Sequence, residues 1–573
     1  MINAWRVPFV VLAFGAVTAT HAEQLRITGA TDAQATNIRL LSAMSELDCK
    51  APNWLVRYRY ERLGGEVERA LQGLGFYQAE HSATLVFGET CWSVELSVTP
   101  GEALTLRNAD VRVRGDAADD PTVMAVTAQA TPEPGQAFSH AAYRELKRRL
   151  ASVAADRGYF NGEFVESKID VYIDDNVADI QLVYESGRRY VFGELTLDQS
   201  LLDDDLVRRF ARWEPGAPYR AVELSELNDR LRGSGYFDSV VIEPRIPDSY
   251  GPVDVHARLT GSGSASYSVG GGYSTDVGPR GRAGYEDRRV NSAGHQLSGD
   301  LTASPVRSEL SATYRRPLGD PAVEWLSYTL GIADEDTDTS ESQSLTFGLR
   351  RVLRLSNGWL RANTVELDVS DFTVGAVEDR SRLLMPGISF SRQNSDDSIN
   401  PSRGYRVAFE ARGTAEALGS STQFAQLIAD GKWIYSFNDK TRLLARGTFG
   451  VTFERDFEEL PPSVRFFAGG NESVRGFDFE TLGPTDADGI VIGGSQLITA
   501  SLEIDRTVYR SFALAAFVDA GNAFDGTEIE ARIAAGIGVK WRSPVGPLRL
   551  YLAKPLNFDE RDLRLHISFG PDL

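Results

Sequence analysis

A run of apolar residues long enough to cross a bilayer as a helix is missing from most of this chain. Such a helix needs about 20 consecutive apolar residues, and no window after residue 22 approaches that length. Helical spans are therefore excluded there. Any membrane span must consist of strands that close into a barrel and so pair all their backbone groups.

Basic patches, metal-ligand clusters and enzyme signatures are also missing. The net charge is −20 at pH 7, and no segment concentrates the Lys and Arg that phosphate neutralisation requires. The 6 histidines are scattered, so no pair stands at metal-ligand spacing. There is no Gly-x-Ser-x-Gly elbow, no His-Glu-x-x-His helix and no phosphate-binding glycine loop. We therefore predict no nucleic-acid partner, no metal, no cofactor and no enzymatic activity.

Methionine is rare and glycine abundant, with 4 and 53 residues, which favours strands and turns. The chain has 573 residues, and a single core rarely grows beyond about 250–300 residues, so several domains are expected. Residues 1–22 have the layout of a cleavable signal peptide, because Arg6 precedes a short apolar stretch and small residues stand just before Glu23. That stretch is too short for a membrane anchor. The chain is therefore predicted to be exported.

A Gly-aromatic-aromatic triplet recurs at a period of about 80 residues. Its copies are Gly75-Phe76-Tyr77, Gly158-Tyr159-Phe160 and Gly235-Tyr236-Phe237. Each copy ends an amphipathic helical stretch, so each glycine suits a left-handed turn after a helix, and the aromatics are expected to enter a strand. A Pro-Gly pair with an aromatic three residues later precedes the second and third of these helices, as Pro134-Gly135 with Phe138 and Pro215-Gly216 with Tyr219.

Each repeat is expected to run strand, helix, helix, strand, strand. The predicted boundaries are 23–102, 103–187 and 188–262. Cys49 and Cys91, the chain's 2 cysteines, both fall in the first repeat. In an oxidising compartment they are expected to form a disulfide, with free thiols as the alternative.

Residues 263–573 have a different texture, with segments of about 10 residues that alternate apolar and polar positions, which is typical of a transmembrane β-barrel. The last predicted strand places one apolar series on the lipid face, namely Leu563, Leu565, Ile567 and Phe569. Arg564, His566 and Ser568 would face a wet lumen. The segment length predicts roughly 16 antiparallel strands. A soluble β-sandwich is the alternative.

These features together resemble a known superfamily. The repeats are similar to POTRA domains, whose landmark is the Gly-aromatic turn. The segment Val474-Arg475-Gly476-Phe477 resembles the loop signature of the BamA/TamA superfamily, and Phe517-Val518-Asp519-Ala520-Gly521 resembles its partner motif on a later strand. The fold class implied is three α+β POTRA-like repeats followed by an all-β outer-membrane barrel.

Strand parity suggests how the two motifs meet. Phe517, Asp519 and Gly521 would point inward, while Val518 would point outward. Asp519 then needs a cation inside the lumen, and the planar guanidinium of Arg475 can supply a bidentate partner. We therefore predict a loop-lock pair, Arg475 with Asp519, with separate solvation of both side chains as the alternative.

Three repeats and one barrel resemble the TamA branch of the superfamily. The resemblance implies insertion or translocation of outer-membrane client proteins such as autotransporters, with contact to outer-membrane lipid and a possible role in phospholipid transport. It also implies a TamB-like, inner-membrane-anchored partner and a weak lateral seam at the last strand, with the repeats in the periplasm. A two-partner-secretion pore for one dedicated substrate, or a passive porin, is the alternative function.

Overall fold

The computed structural model describes residues 24–544, 546–557 and 562–569. The predicted signal peptide lies outside these residues. One unit of the structure holds the first two arm domains with residues 213–225 and 244–255, and the other holds the barrel with residues 195–212 and 226–243. Three small α/β domains followed by a 16-stranded antiparallel barrel confirm the predicted fold class.

Each arm domain has the predicted order of strand, helix, helix, strand, strand. The first consists of β1 (Leu25–Thr28), α1 (Asp32–Leu41), α2 (Asn53–Gln72), β2 (Glu80–Phe87) and β3 (Trp92–Thr99). The second consists of β4 (Thr105–Arg114), α3 (Pro121–Ala130), α4 (His140–Asp156), β5 (Glu163–Tyr172) and β6 (Val177–Glu185). The third consists of β7 (Val191–Asp198), α5 (Asp204–Arg208), α6 (Ala221–Gly233), β8 (Phe237–Arg245) and β9 (Pro252–Gly261).

The arm sheets have three strands each, in the orders β1-β3-β2, β4-β6-β5 and β7-β9-β8. In the first two, the opening strand runs parallel to the central one and the edge strand runs antiparallel to it. Polar side chains start the helices where the sequence supplies them: Thr31 and Gln34 form a capping box at α1, and Ser139 caps α4. Cys49 and Cys91 form a disulfide.

The repeated triplets lie where one domain meets the next. Gly75 has φ +94°, and its carbonyl accepts the N–H of Leu104, at the start of the second domain, at 2.9 Å. A Cβ on Gly75 would lie 2.2 Å from the carbonyl oxygen of Phe138, the aromatic of the Pro-Gly marker. Tyr77 also bonds His140, with 2.7 Å between Oη and Nε2.

The second triplet repeats this arrangement. The carbonyl of Gly158 accepts the N–H of Tyr190 at 2.9 Å, and a Cβ on Gly158 would lie 2.9 Å from Cβ of Tyr219, the second marker aromatic. Phe160 packs edge-on against both tyrosines. The expectation that the aromatics enter a strand is wrong for the first two triplets, which precede β2 and β5. Tyr77 and Phe160 pack on the next domain, whereas Phe76 and Tyr159 pack in the core of their own domain.

The third triplet meets the barrel. Tyr236 accepts the N–H of Ser262 through its carbonyl at 3.0 Å and donates its hydroxyl to the carbonyl of Gly294 at 2.5 Å. Arg209 donates to the carbonyl of Leu318 in another barrel turn at 3.0 Å. The third domain and the barrel turns therefore share hydrogen bonds at this point.

The barrel is one 16-stranded sheet in sequence order, which confirms the predicted strand number. Its strands are β10 (Ala265–Ser274), β11 (Gly278–Asp287), β12 (Gln296–Ala303), β13 (Arg307–Pro317), β14 (Glu324–Asp336), β15 (Ser340–Arg354), β16 (Leu360–Val374), β17 (Val377–Ser395), β18 (Gly404–Thr414), β19 (Phe424–Asn438), β20 (Thr441–Glu454), β21 (Gln496–Tyr509), β22 (Phe512–Phe524), β23 (Arg532–Ser543), β24 (Gly546–Pro555) and β25 (Arg564–Phe569). Every neighbouring pair is antiparallel.

Alternation along the strands separates an apolar outer face from an inner face that carries charge. On β22, Leu514 and Val518 are about half exposed, whereas Phe517 and Asp519 are buried. Among the residues described, no helix has the length and apolar character needed to span a membrane. Likewise, no group of three or more potential ligands in the described chain could hold a metal ion.

Candidate functional site

The long connection between β20 and β21, residues 455–495, folds against the inner wall of the barrel, and we call it the lumen loop. Short bridges hold it in shape, pairing Phe466 with Gly494 and Ala468 with Leu482. Its apolar side chains bury themselves against strand residues of the inner wall. The loop members of this cluster are Phe466, Ala468, Val474, Phe477 and Leu482, and the wall members are Leu497, Ala523 and Ala534.

Arg475, on the lumen loop, contacts Asp519 of β22. Nε donates to Oδ2 at 2.8 Å and Nη2 donates to Oδ1 at 2.9 Å, which is a bidentate pair. The backbone N–H of Arg475 donates to the same Oδ2 at 3.0 Å. Arg475 is 4% exposed and Asp519 0%, so both charges are removed from water. The structure thus brings the two predicted residues together, while their functional role remains a prediction.

Arg475 has further partners on β21 that sequence reasoning missed. Nη1 donates to Glu503 at 2.7 Å and Nη2 to the hydroxyl of Ser501 at 3.0 Å. The guanidinium also lies over two rings, 3.5 Å from the centroid of Phe517 and 4.6 Å from that of Tyr551. Strand parity could have found Glu503 and Ser501, because both alternate with apolar residues that face outward.

A third buried carboxylate, beside Asp519 and Glu503, extends this charge network along the inner wall. Asp505, 0% exposed, accepts hydrogen bonds from Arg442 at 2.7 Å and from Lys540 at 3.1 Å, and it also pairs with Arg542. Lys540 pairs with Glu503 as well, which links the two groups. Buried ion pairs of this kind hold positions firmly because losing one partner leaves an uncompensated charge.

The other motif residues shape the contact. Val474 and Phe477 are buried in the loop cluster, and Phe517 stacks its face on Arg475. Gly476 has φ +97°, and a Cβ there would lie 3.0 Å from that of Ala534. A Cβ on Gly521 would lie 2.4 Å from the carbonyl oxygen of Ile498. Both glycines therefore permit a close approach that a larger residue would prevent.

The barrel sheet begins at β10 and ends at β25, and across the described residues no strand ladder joins these two strands. The N–H of Thr275 nevertheless donates to the carbonyl of Ile567 at 3.1 Å. Of the predicted last-strand residues, Leu565, Ile567 and Phe569 lie on β25, whereas Leu563 precedes it. The last strand is therefore one residue shorter at its start than expected. We call the boundary between β10 and β25 the seam.

An antiparallel 16-stranded barrel with three POTRA-like domains and a lumen loop held by a buried arginine defines the class of protein. Two family comparisons place the chain more closely. The Omp85 superfamily domain matches residues 282–571, so the chain belongs to the Omp85 superfamily. The POTRA domain described as TamA domain 1 matches residues 24–100.

Among curated relatives, the outer membrane protein assembly factor BamA of Neisseria meningitidis serogroup B is 24% identical over 542 residues, covering 82% of this chain and 66% of its own. The BamA of Nitratidesulfovibrio vulgaris is 24% identical over 440 residues, covering 73% of this chain and 55% of its own. The chain thus spans between about half and two thirds of these relatives. The crystal structure of Haemophilus ducreyi BamA lacking POTRA domains 1-3 aligns over 81% of this chain and 99% of that one, with TM-score 0.67 and 18% identity, which is a likeness of fold.

Proposed function

We propose that this protein is an assembly factor of the outer membrane that inserts or translocates outer-membrane client proteins, with its arm in the periplasm. The observation that carries the proposal is a barrel whose first and last strands form no ladder in the described residues, next to a loop held inside the lumen. Unpaired strand edges template the backbone of an incoming strand. Membership of the Omp85 superfamily and the assembly-factor relatives support the same function.

Within this function we propose the TamA type of assembly, with autotransporters among the clients. Support comes from the three arm domains and from the match of residues 24–100 to TamA domain 1. A TamB-like, inner-membrane-anchored partner and a role in moving phospholipid toward the outer membrane belong to this proposal. The test is deletion of the gene in its host, with autotransporter display and outer-leaflet phospholipid measured separately.

The alternative, a two-partner-secretion pore, is favoured less. Such pores usually carry two arm domains, whereas the described residues of this chain form three. If the deletion strain loses several different surface-displayed proteins, an assembly function is supported. If it loses a single secreted protein, the pore is supported.

The seam is tested by a cross-link that can be reversed. Cysteines replacing Thr275 and Ile567, whose main chains are in contact, should form a disulfide across the seam. Oxidation is expected to abolish client display and reductant to restore it. Wild-type protein treated with the same reductant controls for the native Cys49–Cys91 bond. Full display by the oxidised variant would contradict a function through the seam.

A further inference from the structure

The lumen loop contacts both sides of the seam through one side chain, Asn471. Its backbone N–H donates to Oδ2 of Asp276 at 2.9 Å, and its Nδ2 donates to Oγ1 of Thr275 at 3.1 Å. Both residues directly follow β10. The same Nδ2 lies 3.4 Å from the carbonyl oxygen of Ile567 on β25. Asn471 is 7% exposed, so these bonds lie away from bulk water.

His566 on β25 completes the contact. Its Nε2 lies 2.8 Å from the backbone nitrogen of Gly476, and a backbone N–H can only donate, so Nε2 must accept. The ring proton of a neutral imidazole then sits on Nδ1, which lies 3.1 Å from Oδ1 of Asn471. One tautomer therefore satisfies both bonds, with His566 donating to Asn471 and accepting from Gly476.

The same stretch of loop is anchored to β22 as well as to the seam strand β25. Consecutive backbone N–H groups, those of Arg475 and Gly476, donate to Asp519 on β22 and to His566 on β25. A loop held by the Arg475 pair therefore holds Asn471 at the seam. Displacing this stretch would remove the bonds to both seam strands at once.

We propose that Asn471 and His566 form a clasp that keeps the seam closed, and that the loop-lock pair sets the position of this clasp. This inference rests on the proposed function in one respect, namely that clients enter through the seam. Asn471 and His566 are positioning residues, since they act by holding β10 and β25 together. Client entry would then require the lumen loop to move before the strand edges become available.

The experiment measures the distance across the seam in full-length protein in lipid nanodiscs. Spin labels on cysteines replacing Val269 on β10 and Leu565 on β25, two outward-facing positions, report strand separation by pulsed electron paramagnetic resonance. Asn471→Ala is expected to raise the ratio of separated to adjacent strands by about tenfold, because it leaves buried polar partners unpaired. Asn522→Ala is the matched control. It removes another buried Asn, on β22, whose amide donates to the backbone carbonyl of Glu530 away from the seam.

A second pair of variants guards against a folding defect in Asn471→Ala. His566→Leu removes both ring nitrogens and should separate the strands, whereas His566→Gln keeps one donor and one acceptor and should leave them adjacent. Unchanged distances in both Asn471→Ala and His566→Leu would overturn the clasp. The oxidised Thr275 and Ile567 cross-link tests the function separately: if it blocks display while the clasp variants keep wild-type distances, the clasp fails and the function stands.

Discussion

Arg475 combines more attachments than a surface ion pair could offer. It holds Asp519 in a bidentate geometry, reaches Glu503 and Ser501, and lies against the rings of Phe517 and Tyr551. Surface pairs contribute about 0–1 kcal/mol, whereas removing one member of a buried pair costs about 3–5 kcal/mol because the other charge stays behind. The residue therefore acts as the main attachment of the lumen loop.

Arg475→Ala and Asp519→Ala should therefore each release the lumen loop. The double variant should be less damaging than the sum of the two, with a coupling of about 1–3 kcal/mol, because residues in contact do not act independently. Heat-modifiable mobility of the barrel and protease cleavage of the loop in intact cells measure the effect. Additive effects, or single variants with an uncleaved loop, would contradict the anchoring role.

Asp120 is the corresponding buried charge in the arm. Burial raises the pKa of the Asp120 carboxyl. Hydrogen bonds from Arg157 and from the N–H of Thr122, with the charges of Arg157 and Arg189, lower it by more, so the pKa lies below the ordinary value. A lowered folded pKa gives stability that is complete above the unfolded value of about 4 and is lost as the pH falls through the folded value.

Asp120→Asn should therefore lower the melting temperature of the arm at pH 7, and this difference should shrink as the pH falls from about 4 toward the lowered folded pKa, where the wild-type carboxyl becomes protonated in the folded state too. Circular dichroism melts of the full chain at both pH values measure it. Asp110→Asn is a control, since Asp110 pairs with Arg112 at an exposed site. A difference of equal size at both pH values would contradict the assignment.

At the scale of elements, the repeated Gly-aromatic-aromatic triplet marks the end of a helix and also lies at the contact between successive domains. Gly75 and Gly158 both have positive φ, as a left-handed turn after a helix predicts. Periodicity within a repeat reveals its strands and helices, because these depend on which side chains face the domain's own core. It does not reveal that Tyr77 and Phe160 leave that core for the next domain, since contacts between domains have no sequence period.

The joint between the first two domains can be tested at one glycine. In Gly75→Ala the new Cβ would meet the carbonyl oxygen of Phe138 at 2.2 Å, so the domains must move apart. Gly135→Ala is the matched control, because it has φ +88° and no atom within 4 Å of its Cβ. Both variants carry the strain of a left-handed residue, about 1–2 kcal/mol, but only Gly75→Ala should speed amide exchange near Leu104, whose N–H bonds Gly75. Equal exchange in the two variants would show that the close approach is unimportant.

At the scale of the whole molecule, alternation along strands made the barrel and its inward charges predictable. Strand parity alone assigned Asp519 to the lumen side of its strand. A carboxylate in that position needs a positively charged partner, which led to Arg475. The contacts of Asn471 at the seam could not be predicted from the sequence. They depend on the path that the lumen loop, residues 455–495, takes along the inner wall, and no periodicity in the loop sequence indicates that path. Long loops are placed by the wall they pack on rather than by their own periodicity.

The first arm domain and the barrel have separate hydrophobic cores, so destabilising the first domain should leave the barrel folded. Cys49 and Cys91 enclose a sequence separation of 42 residues, and loss of such a disulfide costs about 2–4 kcal/mol. In Cys49→Ser/Cys91→Ser protein, the first domain, whose buried cluster includes Val56 and Trp92, should become sensitive to protease. The barrel should keep its heat-modifiable mobility, because among the described residues its strands form a sheet separate from those of the arm. Parallel digestion and semi-native electrophoresis of one sample give both readouts, and a barrel that unfolds together with the domain would contradict independent cores.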